Sequence, residues 1–69
     1  MAEKKLNNSL KVHRAMKNLT QEQLAELAGV TRKTINTVEN GVYIPSTYLA
    51  LKLSKVLGAP VEELFQLVE

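Results

Sequence analysis

The stretch that decides the fold is Thr20-Gln21-Glu22-Gln23-Leu24-Ala25-Glu26-Leu27-Ala28-Gly29-Val30-Thr31-Arg32-Lys33-Thr34-Ile35-Asn36-Thr37-Val38-Glu39-Asn40-Gly41. It contains two helix starts and two helix stops. Thr20 followed by Gln23 at the third helical position makes a capping box: the hydroxyl accepts from a backbone amide of the first turn, and the Gln side chain returns to the amide of the cap. Leu24, Leu27 and Ala28 then recur at helical spacing and form an apolar face. Gly29 ends this helix, because it tolerates positive φ just past the last turn. Only Val30 separates it from Thr31, the next cap. The helix over 32–39 has Ile35 and Val38 on one side, and Asn40-Gly41 closes it. Two short helices joined by a turn of about three to four residues containing glycine make a helix-turn-helix, over residues 20–40 here.

Working outward, a first helix is expected over about Asn8 to Lys17, with Leu6 and Leu10 at i and i+4 and Asn7 or Asn8 as its cap. Downstream, the loop Val42-Tyr43-Ile44-Pro45 leads to Ser46, a cap for a fourth helix over about Thr47–Leu57. That helix is apolar on most sides (Leu49, Ala50, Leu51, Leu53, Val56, Leu57), the pattern of a central buried helix. Gly58 stops it. Pro60 suits the first turn of a short fifth helix, Pro60–Phe65, whose Leu64 and Phe65 return to the core. The expected fold is all-α, five helices, with residues 1–69 as a single domain.

At 69 residues the chain makes one domain. A domain this small buries only about 60% of the surface that its unfolded chain exposes, so an apolar core, enlarged by dimerisation, must hold it. Apolar content is 45%, ordinary for a globular domain. There is no cysteine, hence no disulfide and no thiolate metal site. No apolar run approaches the roughly 18 residues that span a membrane. Met1-Ala2-Glu3-Lys4-Lys5 leads into no apolar segment of a secretory signal, and a cytoplasmic location is expected. Net charge is only +2, but its distribution is uneven: residues 1–60 carry all nine basic side chains against four acids, and residues 61–69 carry three acids and no base. Such asymmetry fits a basic face for a polyanion as well as chance.

The outer side of the helix over 32–39 is more specific. With Ile35 and Val38 turned inward, Arg32, Lys33, Asn36, Thr37 and Asn40 remain outside. These residue types read base edges and phosphates: Arg or Lys to guanine, Asn to adenine or phosphate, Thr to a thymine methyl or phosphate. A merely solvated helix face would more often pair Glu with Lys at i and i+4. This face has no acid.

The whole segment from Leu19 to Gly41 resembles the helix-turn-helix of the Cro/C1-type (XRE) family, which includes the lambdoid phage repressors. The elements Thr-Gln-Glu, Ala, Gly-Val-Thr and Glu-Asn-Gly are all in register. The continuation from Pro45-Ser46 to Glu62-Glu63-Leu64-Phe65 resembles the rest of that domain, so the likeness covers about residues 8–65. It implies a five-helix, lambda-repressor-like DNA-binding domain, similar to a short stand-alone member. It also implies a sequence-specific transcriptional regulator, a repressor that binds a palindromic operator in double-stranded DNA as a homodimer.

Residue roles follow from the resemblance. Arg32, Lys33 and Thr37 are implied as base readers. Thr31, Asn36, Asn40 and Ser46 are implied as backbone or mixed contacts. Gln21 is implied to hold a phosphate and buttress the recognition helix, which the free N–H groups of a helix start favour independently. Tyr43 is implied as a phosphate contact, with packing on the core an equal alternative. Arg14 and Glu39 are implied as a structural ion pair between the first helix and the end of the recognition helix. Two departures stand out: His13 where an aliphatic core residue is usual, and Val42 where a loop Lys or Arg is common.

The termini carry the remaining expectations. Glu3–Leu6 and Phe65–Val68 flank the domain, and Gln66-Leu67-Val68 is β-prone and apolar without local cause. The family resemblance implies a short antiparallel pairing of the two ends. Val61, Leu64, Leu67 and Val68, with Pro60 nearby, are the candidate dimer interface within a dimerisation element over 60–69; a frayed terminus is the alternative. No catalytic residue, metal ligand set or cofactor is expected: there is one His, no Gly-rich phosphate loop, and Glu62-Glu63 suits the first turn of the last helix. The rival function is an antitoxin or a protein-interaction adaptor on the same fold, with a protein partner. A basic, acid-free recognition face argues against an adaptor that has lost DNA binding.

Overall fold

A computed structural model of the chain describes residues 6–68; the expectations placed on Met1–Lys5 lie outside it. The element order is β1 (Leu6–Asn8), α1 (Leu10–Met16), α2 (Gln21–Ala28), α3 (Arg32–Glu39), α4 (Thr47–Leu57), α5 (Val61–Leu64) and β2 (Phe65–Leu67). The strands pair antiparallel, Leu6 with Leu67, Asn7 with Gln66 and Asn8 with Phe65, so the two ends of the domain close on one another.

The caps form as their residue types dictate. Thr20 Oγ1 accepts from the Gln23 amide at 3.0 Å while the Thr20 amide donates to Gln23 Oε1 at 2.9 Å, a reciprocal box that fixes where α2 begins. Gly29 takes the left-handed conformation with φ 76, and Val30 N–H donates back to the Ala25 carbonyl. Thr31 and Ser46 accept from the amides of Thr34 and Leu49 and start α3 and α4.

The core is built by Leu10, Leu24, Ile35, Val38, Leu53 and Leu64, all essentially without exposed surface, and extended by Ala25, Ala28, Leu49, Leu57, Ala59 and Phe65. Every helix contributes, and among the described residues this cluster is apolar throughout. Removing a large side chain from such a core costs about 2–5 kcal/mol, because the lost transfer energy adds to that of the cavity left behind.

Four expectations are corrected. The first helix begins at Leu10, not near Asn8, because Leu6–Asn8 is taken up by β1; Leu6 and Leu10 therefore sit on different elements. Ser9 is the residue at its N-terminus, held by its hydroxyl on the Glu63 carbonyl at 2.7 Å and its amide on the Leu64 carbonyl at 2.9 Å. On α2 the buried face is Leu24, Ala25 and Ala28, and Leu27 stands at its edge, 53% exposed. On α4 only the Leu49, Leu53 and Leu57 side is buried; Leu51 is exposed, because none of the described residues covers that side. The last helix is a single turn from Val61, with Pro60 before it and Phe65 already in β2.

Candidate nucleic-acid interface

The surface of interest is the outer side of α3. It is placed by a bracket of polar side chains from three helices. Arg14 on α1 donates through Nε to Glu39 Oε2 at 2.7 Å and through Nη2 to Oε1 at 3.3 Å, while its Nη1 donates to the Leu19 carbonyl at 2.9 Å. The Glu39 side chain is only 4% exposed and that of Arg14 15%. A two-pronged guanidinium–carboxylate pair fixes orientation as well as distance. The Gln21 side-chain amide, on the first residue of α2, donates to Glu39 Oε1 at 3.0 Å and to Asn36 Oδ1 at 3.2 Å. Glu39, the last residue of α3, is thus held by α1 and α2 together.

A further residue completes the bracket, and the sequence assigned it another task. Asn8 donates from Nδ2 to the Val38 carbonyl at 2.9 Å and the Glu39 carbonyl at 3.4 Å, and its Oδ1 accepts from the Leu10 amide at 3.1 Å. It satisfies carbonyls at the C-terminus of α3 and an amide at the N-terminus of α1 at once. A polar residue next to a helix start signals capping; the partner 30 positions away leaves no local trace.

Held this way, α3 presents Arg32, Lys33 and Asn36 to solvent. Its one acid is sequestered in the ion pair, so the exposed face carries positive charge and amide groups alone. Thr37 is half-buried and its hydroxyl donates to the Thr34 carbonyl at 2.9 Å. Thr31 is exposed, with Oγ1 3.0 Å from Thr34 Oγ1. Asn40, Val42, Tyr43 and Ser46 are exposed on the loop that follows α3 and at the start of α4. Tyr43 is 47% exposed, and its amide donates to the Thr37 carbonyl, which ties the loop to α3. Gln21 differs from its sequence reading in one respect. Its side-chain nitrogen is committed to Asn36 and Glu39, so a phosphate at this helix start would meet backbone N–H groups in the present geometry.

The other expected residues separate. Leu67 and Val68 are exposed and Val61 is half-buried, whereas Leu64 has no exposed surface and belongs to the intramolecular core; it is not available to a second chain in this conformation. Leu6, Pro45, Leu51, Val61, Phe65 and Leu67 line one cleft of about 300 Å³ on this side of the molecule. His13 sits at the seam of α1 and α5, Nδ1 3.0 Å from the Ser9 carbonyl and Nε2 3.7 Å from Glu63 Oε1. Its contacts at the core's margin are polar. Among the described residues no three His, Asp or Glu side chains gather as a metal site, and no helix is long and apolar enough to cross a membrane.

A helix braced across another, with a basic polar face outward, defines the helix-turn-helix class. The helix-turn-helix family model matches residues 10–64. An HTH-type transcriptional regulator from Methanocaldococcus jannaschii is 48% identical over 60 residues, covering 87% of this chain and 91% of that protein. The HTH-type transcriptional regulator YgzD of Bacillus subtilis is 42% identical over 64 residues, covering 93% and 97%. Among solved structures, the restriction-modification controller protein C.AhdI from Aeromonas hydrophila superposes with a TM-score of 0.73 at 37% identity, covering 78% of this chain and 82% of that one. The chain belongs to the Cro/C1-type helix-turn-helix family, and by class it is a DNA-binding transcriptional regulator. That family's fold serves DNA-binding regulators and is not an enzyme family.

Proposed function

We propose that the protein represses transcription in the cytoplasm by occupying one palindromic operator as a homodimer, each protomer setting α3 into the major groove of one half-site. The observation that carries this reading is the exposed face of α3: Arg32 and Lys33 stand free, while Glu39, the only acid of that helix, is neutralised by Arg14. The major groove, about 12 Å wide, admits one helix and displays guanine O6 and N7 to such cations. Arg32, Lys33 and Thr37 read bases. Thr31, Asn36, Asn40, Tyr43 and Ser46 line the approach to the backbone, and the N-terminus of α2 offers its N–H groups to a phosphate. Repression needs nothing more than occupancy, since a dimer across a promoter excludes polymerase.

The cleft beside the paired termini receives the second copy. Leu51 and Leu67 are exposed apolar residues of the cleft that Leu6, Pro45 and Val61 border, and Val68 is exposed next in the chain. A second protomer that covers them doubles the contacts to DNA and sets the two α3 helices about 34–36 Å apart, one turn of B-DNA. Selection of bound sequences from random duplex DNA tests the reading. A pair of inverted half-sites with centres about one helical turn apart is expected. No enriched sequence would overturn the DNA-reading role, and a single unrepeated half-site would overturn the dimer.

A further inference from the structure

At the C-terminal side of the recognition surface, Lys33, Thr34 and Thr37 of α3 and Val42 and Tyr43 of the next loop line an open cleft of about 310 Å³. Val42 is 78% exposed and Tyr43 47%. No charged residue occurs from Asn40 to Tyr48, so this side of the surface has no cation of its own for a phosphate beyond Lys33 at the rim. The Thr37 hydroxyl has spent its hydrogen on the Thr34 carbonyl. In this geometry Thr37 offers a base edge its methyl group and an oxygen lone pair.

We propose that this cleft reads the 5-methyl group of a thymine, with the Thr37 methyl as the contact and Val42 as the apolar wall behind it. The inference rests on the DNA-reading role of α3 and adds to it a second, non-polar mode of discrimination. Thymine's methyl is the one apolar group that bases display in the major groove. The cleft offers it apolar surface that is wet in the free protein, and covering both together is favourable. A cytosine at that position has no methyl to fill the apolar surface beside Val42, and its amino group would have to face that wall. Val42 thereby becomes a determinant of sequence preference.

The decisive experiment replaces, one at a time, every thymine of a site selected from random DNA with uracil, which lacks only the methyl. Dissociation constants are measured by fluorescence anisotropy for the wild type, Thr37→Ser and Val42→Thr. Thr37→Ser keeps the hydroxyl and its bond to the Thr34 carbonyl and removes one methyl. At one thymine in each half-site, uracil is expected to weaken wild-type binding about fourfold, the worth of one buried methyl. The same exchange should leave Thr37→Ser unaffected and Val42→Thr less affected than the wild type, a coupling that a double-mutant cycle isolates. Uracil tolerated at every position, or weakening wild type and Thr37→Ser alike, would overturn the proposal while leaving the DNA-reading role intact. Failure to enrich any sequence in the first place would overturn both.

Discussion

Glu39 is a carboxylate with almost no contact with water, and its environment explains why the recognition surface has one geometry. Two hydrogen bonds from Arg14 and one from Gln21 compensate its burial. Removing one partner from such a pair leaves a buried charge without compensation, which costs far more than an exposed pair is worth. Arg14→Ala is therefore expected to destabilise the fold by about 3 kcal/mol in urea denaturation, a large share of the stability of so small a domain. A loss below about 0.5 kcal/mol, the range of exposed pairs, would show that the bracket does not anchor α3. Asn8→Ala leaves the Val38 carbonyl and the Leu10 amide without their side-chain partners and should cost about 1–3 kcal/mol by the same measurement. An unaltered denaturation midpoint would count against its bracing role.

At the scale of elements, the start of α2 rests on a two-way exchange and its end on a left-handed glycine. Thr20→Ala removes the hydroxyl acceptor of that exchange, and thermal unfolding should show a loss of about 1 kcal/mol, several degrees in Tm for a chain of this length. Gly29→Ala meets no atom within 4 Å of the added Cβ, so any cost is backbone strain at φ +76, about 1–2 kcal/mol. A Tm unchanged by either substitution would remove the caps as the reason these helices end where they do. The same caps made α2, α3 and α4 legible from sequence to the residue, because Thr20, Thr31, Ser46, Gly29 and Gly58 act within four positions of themselves. The start of α1 was not legible: Asn7 and Asn8 look like caps, and only pairing with Gln66 and Phe65, at the other end of the chain, makes them strand residues. Leu27 and Leu51 were misplaced for a related reason. Helical periodicity tells which residues share a face, but which margin of that face is covered depends on the neighbouring element.

For the whole molecule, α2 and the bracket hold α3, and the paired termini bring Leu67 beside Leu6 and the Leu51 side of α4. Leu67 is 75% exposed, so replacing it disturbs little inside one protomer. Leu67→Asp is expected to shift the mass in sedimentation equilibrium toward that of one chain with its circular dichroism retained; an unchanged dimer would place the interface elsewhere. The exposure of Arg32, Lys33 and Asn36 was readable in advance because a helix with one buried face leaves the other to solvent. The bracing by Asn8 and the apolar cleft at Val42 required three-dimensional placement. The central claim is that α3 reads base sequence. It is tested most directly by the affinity of Arg32→Ala and Lys33→Ala for the selected operator and for operators altered one base pair at a time. Each substitution should weaken operator binding by about 1–3 kcal/mol and relax preference at one position per half-site. Unchanged affinity and preference in both variants would contradict the claim.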